Sequence, residues 1–251
     1  MSLKFVLACA TALALAGAAQ AQSVTNGSFE VNTGTGQVGY NTTVAGWSVP
    51  DPHVGGSYTF LFGPGTADTT GAPGQFGQVI LWGPGNTPPT PNGLPPTSPD
   101  GGFYIASDPV LDNHAPGLTQ VITGLTPGQQ YDVGFYEAFA QQHGFIGPTT
   151  NQWNVSLGGQ TLSGPTVTIP SMGFSPWTHI NLIFTATGTS ETLGFLASSP
   201  SLVASPPFAL LDGVSLTSVV PEPSVWAMLM VGVFAIGAAA RRRRFAALAA
   251  C

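Results

Sequence analysis

The sequence predicts an all-β chain: an antiparallel β-sandwich of jelly-roll type, preceded by a signal helix and followed by a single transmembrane helix. Three observations predict it. Short runs rich in Val, Ile, Thr, Phe and Tyr recur through residues 22–220, each bounded by Gly, Pro, Asn or Ser, while helical periodicity is almost absent. The 251 residues include 33 glycines and 23 prolines, and 6% are charged, which fits neither a disordered polyelectrolyte nor a helical cytosolic enzyme. The two apolar runs long enough for targeting or anchoring sit at the extreme ends.

Residues 1–21 read as a secretory signal peptide. Lys4 supplies the positive start, Phe5 to Ala16 is apolar apart from Thr11, and Ala19-Gln20-Ala21 places small residues at the cleavage spacing. Cleavage is expected before Gln22. The run is too short for an anchor and has no positive flank behind it.

Residues 22–219 form the sandwich domain, and its 15 Phe and 5 Trp are ample for one core. The clearest strand is Trp177 to Ala186. Thr178, Ile180, Leu182 and Phe184 take one face, expected to be the core, and Trp177, His179, Asn181 and Ile183 take the more polar one. Further strands are expected at Val79–Trp82, Phe103–Ala106, Thr119–Thr123, Tyr131–Phe139, Gln152–Leu157, Thr192–Leu196 and Phe208–Leu216. Leu125-Thr126-Pro127-Gly128 has Pro and Gly where a type II turn wants them, joining the Thr119 and Tyr131 strands as neighbours. Residues 63–101 stand apart, with nine prolines, nine glycines and two Gly-Pro-Gly triplets. A loop of that length in a compact domain is usually functional or disordered.

The C-terminal element has three parts. Pro221-Glu222-Pro223 is an extended, helix-incompatible segment. An uncharged stretch, 225–240, follows, and then Arg241, Arg242, Arg243 and Arg244, with 245–251 trailing as a cytoplasmic tail. Sixteen helical residues span about 24 Å, and Trp226 at one interface with snorkelling arginines at the other extend that toward the ~30 Å hydrocarbon core. The arginines orient the helix with the body outside the cytoplasm. The order and position of these parts over 220–244 resemble the PEP-CTERM sorting signal. That resemblance implies a Gram-negative bacterium, an exosortase as processing partner and an association with exopolysaccharide and biofilm matrix. The alternative is a plain single-pass anchor.

Charge narrows the chemistry. Formal net charge is −6 from 5 Lys+Arg and 11 Asp+Glu, but every basic residue lies outside 22–223 and every carboxylate inside it. Such a body repels a phosphate backbone, so nucleic-acid binding is excluded. Phosphate chemistry has no Lys or Arg to clamp its anion. Both cysteines, Cys9 and Cys251, lie at the ends, so the body has no disulfide, thiol nucleophile or Cys-ligated zinc. His53, His114, His143 and His179 form no ligand pair, and no Gly-x-Ser-x-Gly elbow or P-loop occurs. Glu137 with Asp132 or Glu191 is the remaining candidate for a glycosidase carboxylate pair. The expectation is a protein without enzymatic activity.

The body also resembles galactose-binding-like jelly rolls such as carbohydrate-binding modules. The resemblance is carried, in order, by Asn26-Gly-Ser-Phe-Glu30, Gly46-Trp47, Leu125-Thr-Pro-Gly-Gln-Gln-Tyr131-Asp-Val-Gly-Phe135, Trp177, Phe184-Thr-Ala-Thr-Gly and Leu210-Leu-Asp212-Gly-Val-Ser-Leu216. It implies two antiparallel sheets and, loosely, glycan binding. It also implies a structural Ca²⁺ shared by Glu30 and Asp212 where the domain's ends meet, and a hard cation suits a carboxylate-rich body. Among the aromatics, Trp82 in the Pro/Gly-rich loop and Trp177 on the polar strand face are the candidates for stacking on sugar, the others being expected in the core. Two readings follow: an exported matrix protein contacting exopolysaccharide, or a structural matrix component with no defined ligand. A hydrolase on the same sandwich is a third.

Overall fold

The computed structural model describes residues 24–49, 58–87, 89–109, 117–199 and 206–219. The signal peptide with Ala19, Ala21 and Gln22, the sorting segment 220–244 and the tail lie outside these residues. Among the described residues no helix is long and apolar enough to cross a membrane.

Among the described residues thirteen strands form, in the order β1 (Gly36–Gln37), β2 (Thr59–Phe62), β3 (Ala72–Gly74), β4 (Gly77–Val79), β5 (Tyr104–Ser107), β6 (Leu118–Thr123), β7 (Gln130–Gln141), β8 (Thr149–Leu157), β9 (Gln160–Ser163), β10 (Val167–Ile169), β11 (Phe174–Thr185), β12 (Ser190–Ser198) and β13 (Pro207–Ser218). Six of them make one sheet, in the order β1-β2-β5-β13-β7-β11. The second sheet runs β10-β8-β12-β6, with β9 paired to β8, and β3-β4 is a separate hairpin. Every pairing between these strands is antiparallel. The described residues form an all-β sandwich.

Alternation builds the core between the sheets. Val133, Phe135 and Phe139 of β7, with Ala209 and Leu211 of β13, meet Trp153 and Val155 of β8 and Leu193 and Phe195 of β12. Phe184 is fully buried in this core with Ile180 and Leu182 packed beside it, the face expected of that strand. The Thr126-Pro127-Gly128-Gln129 turn closes with Gln129 N donating to Thr126 O at 3.0 Å and Gly128 at φ 83°, as a type II turn requires. Its strands are not neighbours, contrary to the sequence expectation. β6 belongs to the second sheet and β7 to the first, so the turn crosses the end of the sandwich, where buried Leu125 and Tyr131 fill the core.

The Pro/Gly-rich segment folds back onto the outer face of the six-stranded sheet. Ala67, Ala72, Val79, Leu81 and Leu94 pack there on Phe60, Phe62, Tyr104, Ala138, Ala140, Phe208 and Leu210, making a second apolar layer. The strand expected at Val79–Trp82 ends at Val79; beyond it the chain continues with a bridge from Leu81 to Gln142 and a bond from Trp82 N to Gln141 O at 2.8 Å.

The two ends of the domain meet. Gly27 O accepts from Val214 N at 3.0 Å, and a Cβ at Gly27 would lie 1.9 Å from Val214 O, so only glycine fits against this backbone. Asn26 organises the opening motif, its side chain bonding Val31 and Ala45, while Phe29 enters the core against Trp47 at 5.4 Å.

Candidate functional site

The roof formed by the Pro/Gly-rich segment covers only part of the six-stranded sheet's outer face. The rest of that face is a three-by-three ladder fixed by strand register, exposed along β11 and at Ser215 and Thr217 but closed over Asp212. Its rows are His179–Tyr136–Asp212, Asn181–Gly134–Ser215 and Ile183–Asp132–Thr217, taken across β11, β7 and β13. Residues of opposite parity, such as Leu182, Val133 and Leu216, enter the core, so these nine face outward. A bulge between Asp212 and Ser215 shifts the register of β13 and turns Ser215 and Thr217 to this face. His179, Asn181, Ser215 and Thr217 are exposed, and Tyr136 and Asp132 are half-buried.

Local packing orders the face. Tyr136 meets His179 edge-on, ring centres 4.8 Å apart and planes at 73°. A Cβ at Gly134 would lie 2.9 Å from Ser215 Oγ and 3.2 Å from Asn181 Oδ1, so the glycine lets both polar groups converge over the middle strand. Asp132 Oδ1 is buried without a hydrogen-bond partner. The surface thus offers an aromatic edge, amide, hydroxyl and carboxylate groups, and no cation, since no described residue is Lys or Arg.

An acidic group borders the ladder. Asp212 is fully buried, with Oδ2 accepting from Ser98 Oγ and Oδ1 from Gly213 N at 2.8 Å. Burial pushes its carboxyl up to about 8; the bonds from Ser98 and Gly213 pull it down, and the negative charges of Asp100 and Glu30 push it up. Glu30 accepts from Phe103 N at 2.7 Å and lies where a Cβ at Gly102 would stand. Among the described residues no three His, Cys, Asp or Glu side chains gather closely enough to hold a metal ion by themselves. A cation between Glu30 and Asp212 would therefore draw its remaining oxygens from backbone, other oxygen donors or water.

The two tryptophans singled out for ligand contact lie elsewhere on this side. Trp82 is 9% exposed, packs on His143 at 4.5 Å, and donates its indole N–H to Phe145 O at 3.1 Å. Trp177 is half-buried and meets Tyr104 edge-on at 5.5 Å, with its Nε1 buried and unpartnered. Burial, then Asp68 and Asp212, drive the Tyr104 phenol far above its ordinary range.

The carboxylates weighed for catalysis are dispersed. Asp132 and Glu137 stand five residues apart on β7 and so point to opposite faces, with Glu137 in the buried interior. Glu191 starts β12 of the other sheet, where Oε1 accepts from Thr187 N, Thr187 Oγ1 and Gly188 N. Tyr136 and Asp100 went unnoticed in the sequence, and Gly134 and Ser215 stood there only within longer motifs; the signal for Tyr136 and Gly134 was the even-numbered face of Tyr131–Phe139.

No known family and no curated protein matches this chain. Solved structures similar in outline include the N-terminal CBM22-1–CBM22-2 tandem domain of Paenibacillus barcinonensis Xyn10C, at 13% identity and TM-score 0.42, covering 82% of this chain and 49% of that one. The CBM22-1 xylan-binding domain of the same protein matches at 12% identity and TM-score 0.38, covering 79% of this chain and 96% of that one. The CBM22-1–GH10 modules of Clostridium thermocellum endo-1,4-β-D-xylanase 10B, complexed with xylohexaose, match at 16% identity and TM-score 0.38, covering 79% of this chain and 29% of that one. The chain thus spans under a third of that xylanase's modules.

Proposed function

We propose that this is a non-catalytic, exported surface or matrix protein whose jelly-roll body, of the galactose-binding-like kind, contacts exopolysaccharide. The observation that carries the reading is the uncovered ladder around Tyr136, His179, Asn181 and Ser215. Aromatic, amide and hydroxyl groups on a rigid sheet suit a polyhydroxylated chain, whose C–H faces pack on rings and whose hydroxyls take hydrogen bonds. In a body without Lys or Arg, a neutral glycan is favoured over a polyanionic one. The direct test screens the full chain on a glycan array. Tyr136→Ala should weaken the strongest hit about tenfold, roughly 1.4 kcal/mol. Unchanged binding in that variant would move the site off this face. An array without hits would leave a structural matrix component with no ligand.

Export and sorting complete the proposal. The precursor loses residues 1–21, is held in the inner membrane by 225–240 with its body outside the cytoplasm, and is processed by an exosortase reading Pro221-Glu222-Pro223. Arg241–Arg244 hold the far side of the membrane until then, and the product passes to the cell surface or matrix of a Gram-negative bacterium. Replacing Pro221, Glu222 and Pro223 by alanine should leave an unprocessed membrane species on immunoblots. Normal processing of that variant would leave the plain-anchor reading.

Calcium is the proposed structural ion. Glu30 and Asp212 stand at the meeting point of the two ends, where the negative charge of Glu30 helps to keep the Asp212 carboxyl protonated and no described Lys or Arg offsets it. When bound, the ion would neutralise that charge and tie the ends together.

A further inference from the structure

A pocket of about 210 Å³ opens at the other border of the roof, beside the β3–β4 hairpin. Its walls are aromatic. Tyr58 stacks on Phe60 at 6.1 Å and 15°, Phe76 meets Tyr58 edge-on at 5.3 Å and 70°, and Phe60 contacts Phe208 at 6.0 Å. Phe76 occupies the hairpin turn and is 80% exposed, a costly place for a large ring that serves no core. Asp108, Gln142 and Gln78 add polar groups to the lining. Asp108 is anchored through its backbone, its N donating to Tyr58 O at 2.7 Å, and among the described residues its carboxyl takes no hydrogen bond. Burial without a counter-charge pushes that carboxyl up to about 8.

Aromatic rings around one buried carboxyl define a recognisable chemistry. The ring faces carry the negative side of each quadrupole, which attracts a cation, and the carboxyl, releasing its proton to solvent as the cation enters, supplies the charge that neutralises it. No Lys or Arg occupies the role within the body, and the body's surplus of carboxylates draws cations from solution. We infer that this pocket binds an organic ammonium group carried on a compact frame of about one sugar ring, with Asp108 as its counter-ion and Tyr58 and Phe76 as its walls. The ammonium group is the shared feature. An amino sugar and a quaternary amine are its two sources, and they differ in whether N–H donors are present.

The experiment is calorimetric titration of the full chain near neutral pH with D-glucosamine, tetramethylammonium chloride and D-glucose. Glucosamine is expected to bind at least tenfold more tightly than glucose, which lacks the charge. Tetramethylammonium binding as tightly as glucosamine assigns the pocket to quaternary amines; weaker binding assigns it to amino sugars, through hydrogen bonds from the ammonium to Asp108. Asp108→Asn should abolish the preference over glucose. Phe76→Ala, at an exposed position that the fold does not depend on, should weaken either cation about fivefold while leaving the thermal melt unchanged. Equal affinity for glucosamine and glucose, absence of cation binding, or full affinity in Phe76→Ala would each overturn the inference.

Discussion

In the presence of chelator, raising the pH from about 5 to about 8 is expected to lower the stability of the chain by several kcal/mol. Three carboxyls set the sign. Burial pushes Glu137 up to about 7 and Asp108 up to about 8. Asp212 also rises to about 8 by burial, against the bonds from Ser98 and Gly213. In the unfolded chain each releases its proton at about pH 4. Over the window between, the folded state holds protons that the unfolded state has lost, so stability present below about pH 4 disappears as pH climbs through 7 to 8. One unit is about 1.4 kcal/mol per group, so Glu137, buried with Oε2 unpartnered, contributes roughly 3 kcal/mol of that fall. Glu191 works the other way. Burial would raise it, but the Thr187 and Gly188 bonds hold its carboxyl below the ordinary range, and the stability it adds is lost only in acid. Thermal melts across this range read the slope, and Glu137→Gln should flatten it. A wild-type melt that rises or stays level from about pH 5 to 8 would contradict the account.

Calcium should act most strongly at the upper end of that range, where Asp212 gives up its proton. At free Ca²⁺ a hundredfold above Kd the gain is about 2.7 kcal/mol, raising the melting point by roughly 5–10 °C. Asp212→Asn keeps the size of the buried group but removes its charge, so it should remove the calcium response as well. A full response in that variant would place the ion elsewhere.

The sequence made the long strands legible because a half-buried antiparallel strand writes its alternation plainly. The Trp177 strand separates Ile180, Leu182 and Phe184 from His179 and Asn181, but Thr178, expected on the core face, is exposed next to the register shift between Ser175 and Thr178. The meeting of the opening and closing motifs implied by the jelly-roll resemblance also has a physical basis, since Gly27 and Val214 are in backbone contact. What stayed hidden lacks such a signal. β2, Thr-Phe-Leu-Phe, is buried on both faces and has no alternation to find. The turn at Pro127 fixes its own geometry, but nothing in four residues tells whether the next strand pairs or crosses to the opposite sheet. The Pro/Gly-rich segment reads as irregular because its backbone lacks donors and regular dihedrals. It nevertheless buries scattered apolar side chains, such as Leu81 and Leu94, and so decides which part of the sheet stays open. The ladder is legible strand by strand, but its rows depend on register, and the bulge that turns Ser215 and Thr217 outward is marked by no more than Gly213, at φ 58°.

Trp153→Ala is expected to cost about 3–5 kcal/mol and to lower the melting point by on the order of 10 °C. Trp153 is fully buried on β8, and its ring meets Phe195 of the neighbouring strand edge-on at 6.0 Å and 86°. Its indole N–H reaches across the core to the opposite sheet, donating to Leu210 O of β13 at 3.1 Å. Truncation removes the largest fully buried side chain and this bond between sheets together, and the rigid strands around it cannot close the void. Trp153→Phe isolates the bond, because it keeps an aromatic ring but loses the donor, and should cost about 1–2 kcal/mol beyond its smaller packing loss. The outer ladder depends on the same contact, since Leu210 precedes Asp212 on the strand that forms one column of it. Glycan affinity in Trp153→Phe should therefore fall less than in Tyr136→Ala, while its melting point falls more. A Trp153→Ala melt within about 2 °C of wild type would mean that the sheets are held together without this contact.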